Sequence, residues 1–457
     1  MTNRHRPPRQ HILLNAFNMN CVGHINHGLW THPRDRSAEY NTLDYWIDQA
    51  RTLERGLFDG LFIADIVGVY DIYRNNVDVT LQQSVQLPVN DPLLIVPAMA
   101  AATRHLGFGV TVNLTYEQPY LLARRFSTLD HLTRGRIGWN IVTGYLDSAA
   151  RAMGLDAQLP HDERYERADE YLEVLYKLWE GSWQDGAVLR DKSARVFADP
   201  ARVRKVNHQG RYYKVDGYHL SEPSPQRTPV LFQAGSSGRG QRFAARHAEC
   251  VFISPPSKEA ARKTVAALRE QLAAAGRHPD DVKVFMGAAV VTGRTEAEAR
   301  EKHAEYRDYA SREAGLAHFA ASTGVDFGRY GLDDPVDYGG GNAIESATKT
   351  AAQHGWTRRK LLDLFELGGR YPAIVGDASQ VADTLAEWVD ETGIDGFNLS
   401  RTVVPESYED FVDLVVPALQ DRGRYKTGYA DGTLRHKLFS EGDRLPQRHA
   451  AAAFREI

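Results

Sequence analysis

The residues best suited to chemistry lie where an apolar run gives way to a polar turn. QAGSSGRG (233–240) follows such a run, PVLF, and precedes a helix-like segment. Backbone N–H groups at a helix start, with the Ser236 and Ser237 hydroxyls, would cradle a phosphate. The same residues also read as a flexible Gly/Ser turn, and spacing alone does not choose. HDERY (161–165) stands before a long amphipathic segment, so His161 and Tyr165 offer further phosphate donors or a solvated helix start. Asp65 closes the run GLFIA, placed to accept from a ring N–H or to cap the next element. Thr111 lies near the end of LGFGVTV, and Asn140 lies inside GWNIV, where a buried amide needs partners. His24, His27 and His32 crowd the segment after the first apolar run. The His24-x-x-His27 spacing resembles a metal pair but lacks an acidic partner, so no metal is expected. His24 is the better candidate for a substrate contact or an acid. No Ser-His-Asp order, paired carboxylates or Schiff-base lysine stands out. Neutral hydrogen-bonding groups among aromatics suit a cofactor that brings its own reactivity.

These candidates need a scaffold that gathers strand ends. Short apolar runs at 12–17, 60–64, 106–112, 137–142, 229–234, 250–253, 282–291 and 396–399 alternate with helix-period segments. The helices are expected at 41–55, 92–103, 120–132, 165–179, 258–275 and 378–391. About eight βα repeats point to a closed (β/α)8 TIM barrel, with chemistry at the C-terminal strand ends. An open doubly wound sheet is disfavoured by the repeat count and by the missing GxGxxG after the first strand. The chain is expected to be one barrel domain over 1–457. Two segments break the repeat and read as insertions: 181–228, with a β-like element at 210–215, and 311–371, which holds a helix at 358–365 and is expected to shape the mouth. The tail, 424–457, lacks periodicity and is expected to wrap the surface or a partner subunit.

Bulk properties narrow the classes. Of 457 residues, 42% are hydrophobic and 25% charged, ample for a core, and the formal net charge is −4. No basic field exists to hold nucleic acid. The two cysteines, Cys21 and Cys250, are too far apart to suggest a zinc motif or disulfide scaffold, which suits a reducing cytoplasm. No signal-peptide pattern or run of roughly 20 apolar residues marks export or a membrane span.

Beyond these physical readings, NAFNMNCVGHINHGLWTHP (15–33), YWIDQARTLERGLFDGLFIAD (45–65) and LTYEQPYLLARRFSTLDHLTRGRIGWNIVT (114–143) resemble the bacterial-luciferase superfamily. HDERYERADEYLEVLYKLWEGSW (161–183), NHQGRYYKV (207–215), SPQRTPVLFQAGSSGRG (224–240) and GIDGFNLS (393–400) extend the resemblance over nearly the whole chain. Within it they are similar to the branch of nitrilotriacetate, EDTA, dibenzothiophene-sulfone and dimethyl-sulfide monooxygenases. The resemblance implies reduced FMN as cofactor, O2 as co-substrate and a flavin peroxide as oxidant. It also implies a separate NADH-dependent flavin reductase as partner, and a homodimer or homotetramer. Its flavin contacts fall on Asp65, Thr111, His161, Tyr165 and Ser237, with Ser236 as neighbour. Asn140 and Thr111 would lie by the edge of the isoalloxazine where oxygen adds, and Phe17, His24 and Phe252 would meet the substrate. The substrate expected is dimethyl sulfide or a related sulfur compound. The alternatives are a sulfone or aminopolycarboxylate, or deazaflavin-dependent hydride transfer.

Overall fold

Apolar runs of five to seven residues become strands when both faces are covered, as in a parallel sheet wrapped by helices. The computed structural model describes residues 11–235, 237–337, 344, 355–365, 367, 369 and 371–455. In chain order the strands are β1 (Leu13–Met19), β2 (Gly60–Ala64), β3 (Gly107–Asn113), β4 (Ile137–Val142), β5 (Val188–Asp191), β6 (Val196–Ala198), β7 (Val206–Gln209), β8 (Lys214–Gly217), β9 (Val230–Gln233), β10 (Cys250–Ile253), β11 (Lys283–Gly293), β12 (Ala373–Asp377) and β13 (Gly396–Ser400). Eight of them pair in parallel in the order β1-β2-β3-β4-β9-β10-β11-β13, and β13 pairs back to β1. The ring closes as the expected (β/α)8 barrel, and its members are the eight runs read from sequence.

Side chains alternate across each strand. Trp139 on β4 faces outward and packs on Phe126, Tyr171 and Trp179 of the covering helices. Asn140 faces the barrel interior, beside Thr111 of β3 and Phe232 of β9 in register. Helix Leu43–Arg55 shows how the outer layer is specified. Thr42 caps it by accepting from the Tyr45 N–H, and Trp46, Ala50 and Leu53 are fully buried along one face. A side chain the size of Leu53 contributes about 1.5–3 kcal/mol on full burial.

Three elements depart from the sequence reading. The β-like element expected at 210–215 straddles a turn, with β7 and β8 on either side. Glu170 holds that turn by accepting from the Tyr212 and Tyr213 N–H groups. Strand β12 pairs outside the ring, with the C-terminal half of β11. Two helices, Glu296–Tyr309 and Arg312–Thr323, precede it. The tail does not run loosely over the surface. Its Leu434 and Leu438 join Val230, Phe232, Cys250 and Phe285 in one buried cluster that plugs the N-terminal end of the barrel.

That end is bolted by buried charge. Asp59, Glu249 and Asp395 each stand one residue before an inner strand and accept from a neighbouring strand's N–H, on Leu14, Leu231 and Val284 at 2.8, 2.9 and 2.8 Å. Each carboxylate also meets a cation: Lys426, Arg435 and Arg269 respectively. Arg435 approaches Glu249 at 2.7 Å and donates further to the carbonyls of Thr228 and Pro229. A buried pair with its remaining donors satisfied is costly to break from one side. Arg435→Met, which strands the Glu249 carboxylate, is expected to lower unfolding free energy in urea by about 3–5 kcal/mol. The double variant with Glu249→Gln should recover part of that loss. A cost under about 1 kcal/mol for the single variant would show that the plug is held by other contacts.

Candidate active site

At the opposite, C-terminal end of the barrel a cleft opens over the ends of β2, β3, β4 and β9. Asp65, Asn113, Arg164, Tyr165, Gln233 and Ser237 are among the residues that line it, with His161 at its edge. The expected site residues at these positions are therefore gathered by the fold. Ser236 lies outside the described residues.

One end of the cleft is built from two helix starts. HDERY forms the first turn of helix His161–Tyr176, where the sequence reading had begun the helix at 165. Asp162 and Glu163 in that turn complement the helix dipole, which favours the earlier start. His161 and Tyr165, four residues apart, share a face with ring centroids at 5.2 Å. The second helix, Gly238–His247, is capped by Ser237, whose Oγ accepts from the Gly240 N–H at 3.0 Å. A Cβ on Gly240 would stand 2.8 Å from the Tyr165 hydroxyl, so glycine lets the helix start approach the tyrosine. Burial raises the Tyr165 pKa, against the pull of Arg164 and hydrogen bonding to Ser237 and Gln233. Arg164, only 3% exposed, brings a guanidinium to the same wall, its pKa lowered mainly by burial. A buried guanidinium stays charged and calls for an anion. The helix start beside it adds backbone N–H groups of the kind that fit a phosphate.

The other end carries Asp65. Burial raises its pKa from 3.8 to about 7, partly offset by the Ile66 N–H and reinforced by the charge of Asp91. Thr111 lies one inward step below Asn113. Asn140 Nδ2 donates to Thr111 Oγ1 at 2.9 Å, while Asn140 Oδ1 is buried with no hydrogen-bond partner among the described residues. An unmet buried acceptor costs about 1–3 kcal/mol, which a ring N–H would relieve. Phosphate receptor, carboxylate and open amide together fit a flavin mononucleotide.

Below and beside this cleft the interior is aromatic. Phe17 lies 5.5 Å from Phe62 and 5.4 Å from Phe252, and Phe62 lies 5.5 Å from Phe232. The His24 ring meets Phe17 edge-on at 4.6 Å. The three residues expected to meet substrate, Phe17, His24 and Phe252, thus form one wall. Burial, then the charges of Arg401 and His27, lower the His24 pKa well below its usual value. The His24 ring is therefore held toward its neutral form near pH 7. The three histidines diverge: His27 Nε2 lies 3.2 Å from His318 Nδ1, and His32 meets Glu305 at 3.1 Å. Among the described residues no group of three His, Cys, Asp or Glu side chains is placed to hold a metal ion, and no helix is long and apolar enough to cross a membrane.

Sequence reasoning passed over Arg164, Gln233 and Tyr371. The first two lie inside the quoted motifs HDERY and QAGSSGRG, so helical and strand phase would have found them. Asn113 ends β3 two residues beyond Thr111, the inward period. Tyr371 carried no local signal.

The description "Luciferase-like monooxygenase" fits residues 25–396 of this chain. Dimethyl-sulfide monooxygenase of Hyphomicrobium sulfonivorans is 51% identical over 454 residues, covering 98% of this chain and 94% of that protein. The crystal structure of a long-chain alkane monooxygenase superposes with a TM-score of 0.92 at 48% identity, covering 97% of this chain and 99% of the other. A riboflavin lyase solved with modified FMN and riboflavin gives 0.92 at 36% identity, covering 97% and 99%.

The raised Asp65 pKa has a measurable consequence. Folded, the carboxyl keeps its proton up to about pH 7; unfolded, only to near its ordinary 3.8. Folding therefore takes up a proton in between, and this residue's contribution to stability falls as pH rises from about 4 to 7, then levels. Asp65→Asn removes that slope, so the ligand-free variant's melting temperature should gain on the wild type between pH 5 and 8. A gap constant with pH would mean that the carboxyl titrates in its ordinary range.

Proposed function

The chain belongs to the luciferase-like monooxygenase family of flavin-dependent oxygenases, and on that premise we propose that it oxygenates dimethyl sulfide or a related small sulfur compound with C–S cleavage. Its reduced FMN comes from a separate NADH-dependent flavin reductase, in the cytoplasm. The chain has no GxGxxG nicotinamide fingerprint after its first strand, which supports a second protein as electron source. The observation that carries the substrate is the aromatic layer beside Asn140 and Thr111. Its walls, Phe17, Phe62, Phe252 and a neutral His24, suit a small uncharged molecule and offer an aminopolycarboxylate no counter-charge. The Arg401 guanidinium, whose charge reaches His24, is turned onto the carbonyls of Cys21 and Val22.

Reduced FMN, when bound, supplies two electrons to O2, so that one oxygen atom enters the substrate and the other leaves as water. The protein's part is to hold and to exclude. Arg164 and the N–H groups following Ser237 hold the phosphate, with His161 and Tyr165 closing that wall. The Asp65 carboxylate accepts a ring N–H. Thr111 and Asn140 offer neutral hydrogen bonds where oxygen reacts, without an acidic proton that would divert it to free H2O2. The aromatic layer keeps water from the reacting atoms. A sulfide oxygenated at its α-carbon is a hemithioacetal, and this breaks at C–S into a thiol and an aldehyde.

The test is oxygen consumption by the purified chain with FMN, NADH and a generic flavin reductase, across dialkyl sulfides, sulfones, n-alkanes and aminopolycarboxylates. Dimethyl sulfide should yield methanethiol and formaldehyde in step with O2 uptake, and the yield should vanish without reductase, FMN or oxygen. Arg164→Met should raise the reduced FMN needed for half-saturation at least about tenfold, as expected for one buried charge-assisted contact. Turnover of alkanes with sulfides inert would replace this reading by that of the alkane relative. Turnover of aminopolycarboxylates alone would overturn the apolar site.

A further inference from the structure

The aromatic layer has a floor and a rim. Phe17, Phe62 and Phe232 are buried at 6%, 3% and 6% exposure, while Phe252 and Tyr371 keep more of their surface accessible. Four of these rings come from barrel strands; Tyr371 does not. It stands at the end of the segment 311–371 that interrupts the βα repeat, 59 residues past the helix start at Arg312 and only two before β12. Its ring lies 5.7 Å from Phe252, edge-on, and 6.2 Å from Phe17.

Two features hold it there. The next residue, Pro372, accepts from the Ala289 N–H of β11 at 3.0 Å, and Ala373 pairs with Ala289 in register, so β12 pins the backbone at the barrel mouth. Inside the barrel, β11 carries glycine at 287. A Cβ there would stand 2.5 Å from Tyr371 Cδ1 and 2.6 Å from Cε1, closer than packed carbons approach. The ring therefore rests directly on strand backbone, in space that any other residue at 287 would fill. A tether beyond the ring and a glycine seat within it place one side chain of the insertion on the rim of the barrel-built aromatic layer.

We propose that Tyr371 is a specificity-determining residue: seated on Gly287, it sets the length of substrate that the aromatic layer admits. This rests on the reading of that layer as the substrate site. A wall that ends in a full aromatic ring favours short chains, and removing the ring opens the layer toward the insertion. One added methylene in an apolar pocket changes selectivity by roughly 10- to 200-fold, so a single ring suffices to separate neighbouring homologues.

The experiment compares wild type, Tyr371→Phe, Tyr371→Ala and Gly287→Ala on dimethyl, diethyl, dipropyl and dibutyl sulfide. Turnover is read as kcat/KM, and binding to the flavin-free full chain is read separately by calorimetry. Tyr371→Ala is expected to raise the dipropyl-to-dimethyl ratio at least about tenfold in both readouts. Tyr371→Phe, which keeps the ring, should leave the ratio within about twofold. Gly287→Ala, which lifts the ring from its seat without removing it, should move the ratio while near-normal melting shows the barrel intact. An unchanged ratio in Tyr371→Ala, or an equal loss across the series, overturns the assignment. If the oxygen-uptake screen names another substrate class, the sulfide reading falls by itself. The same variants are then run on homologues of that substrate, and a uniform response there overturns the role of Tyr371 independently.

Discussion

A closed ring of eight parallel strands has an interior only wide enough for a few side chains, and the rest of this structure depends on how that space is filled. Every inward position must fit against its neighbours from the other strands. Gly109 and Gly138, side by side on β3 and β4, give way to the ring of Phe232; a Cβ on Gly138 would stand 2.6 Å from it. Gly287 gives way in the same manner to Tyr371. Aromatic rings occupy the middle of the barrel because glycines opposite them vacate the volume.

Filling the middle with apolar rings separates the two ends. At the N-terminal end, charge is buried and fully matched: Asp59, Glu249 and Asp395 tie adjacent strands through backbone N–H groups, and Lys426, Arg435 and Arg269 neutralise them. Two of those cations come from the tail, which makes the tail part of the barrel's closure. At the C-terminal end the polar groups are left with capacity to spare. Asn140 Oδ1 has no partner among the described residues, and Asp65 is held near its point of half-protonation at neutral pH. Satisfied polar groups stabilise; unsatisfied ones, gathered at a cleft, are what a ligand completes.

The cleft and the aromatic layer divide the work. One end is made of two helix starts beside a buried guanidinium, and the other adjoins a layer of neutral rings. The rings of this layer come from several strands and from the segment before β12. This agrees with a family in which similar chains bear the names of sulfide and alkane monooxygenases.

The eight strands were legible because each is a short apolar run covered on both faces, a property of consecutive residues. Asp65, Thr111, His161 and Ser237 were legible for a related reason: the end of a strand or the start of a helix is a local event, and a barrel sends all such ends to one face. Other features depend on residues far apart in sequence. Nothing near Arg435 announces that it will meet Glu249, and nothing near Tyr371 that Gly287 will seat it. The tail's lack of periodicity hid a plug, since burial there comes from shape against other strands and not from an amphipathic repeat. Local pattern determined the elements and the face that carries chemistry. Tertiary structure alone decided which groups meet and which rings pack together, because those outcomes depend on distances that no stretch of sequence contains.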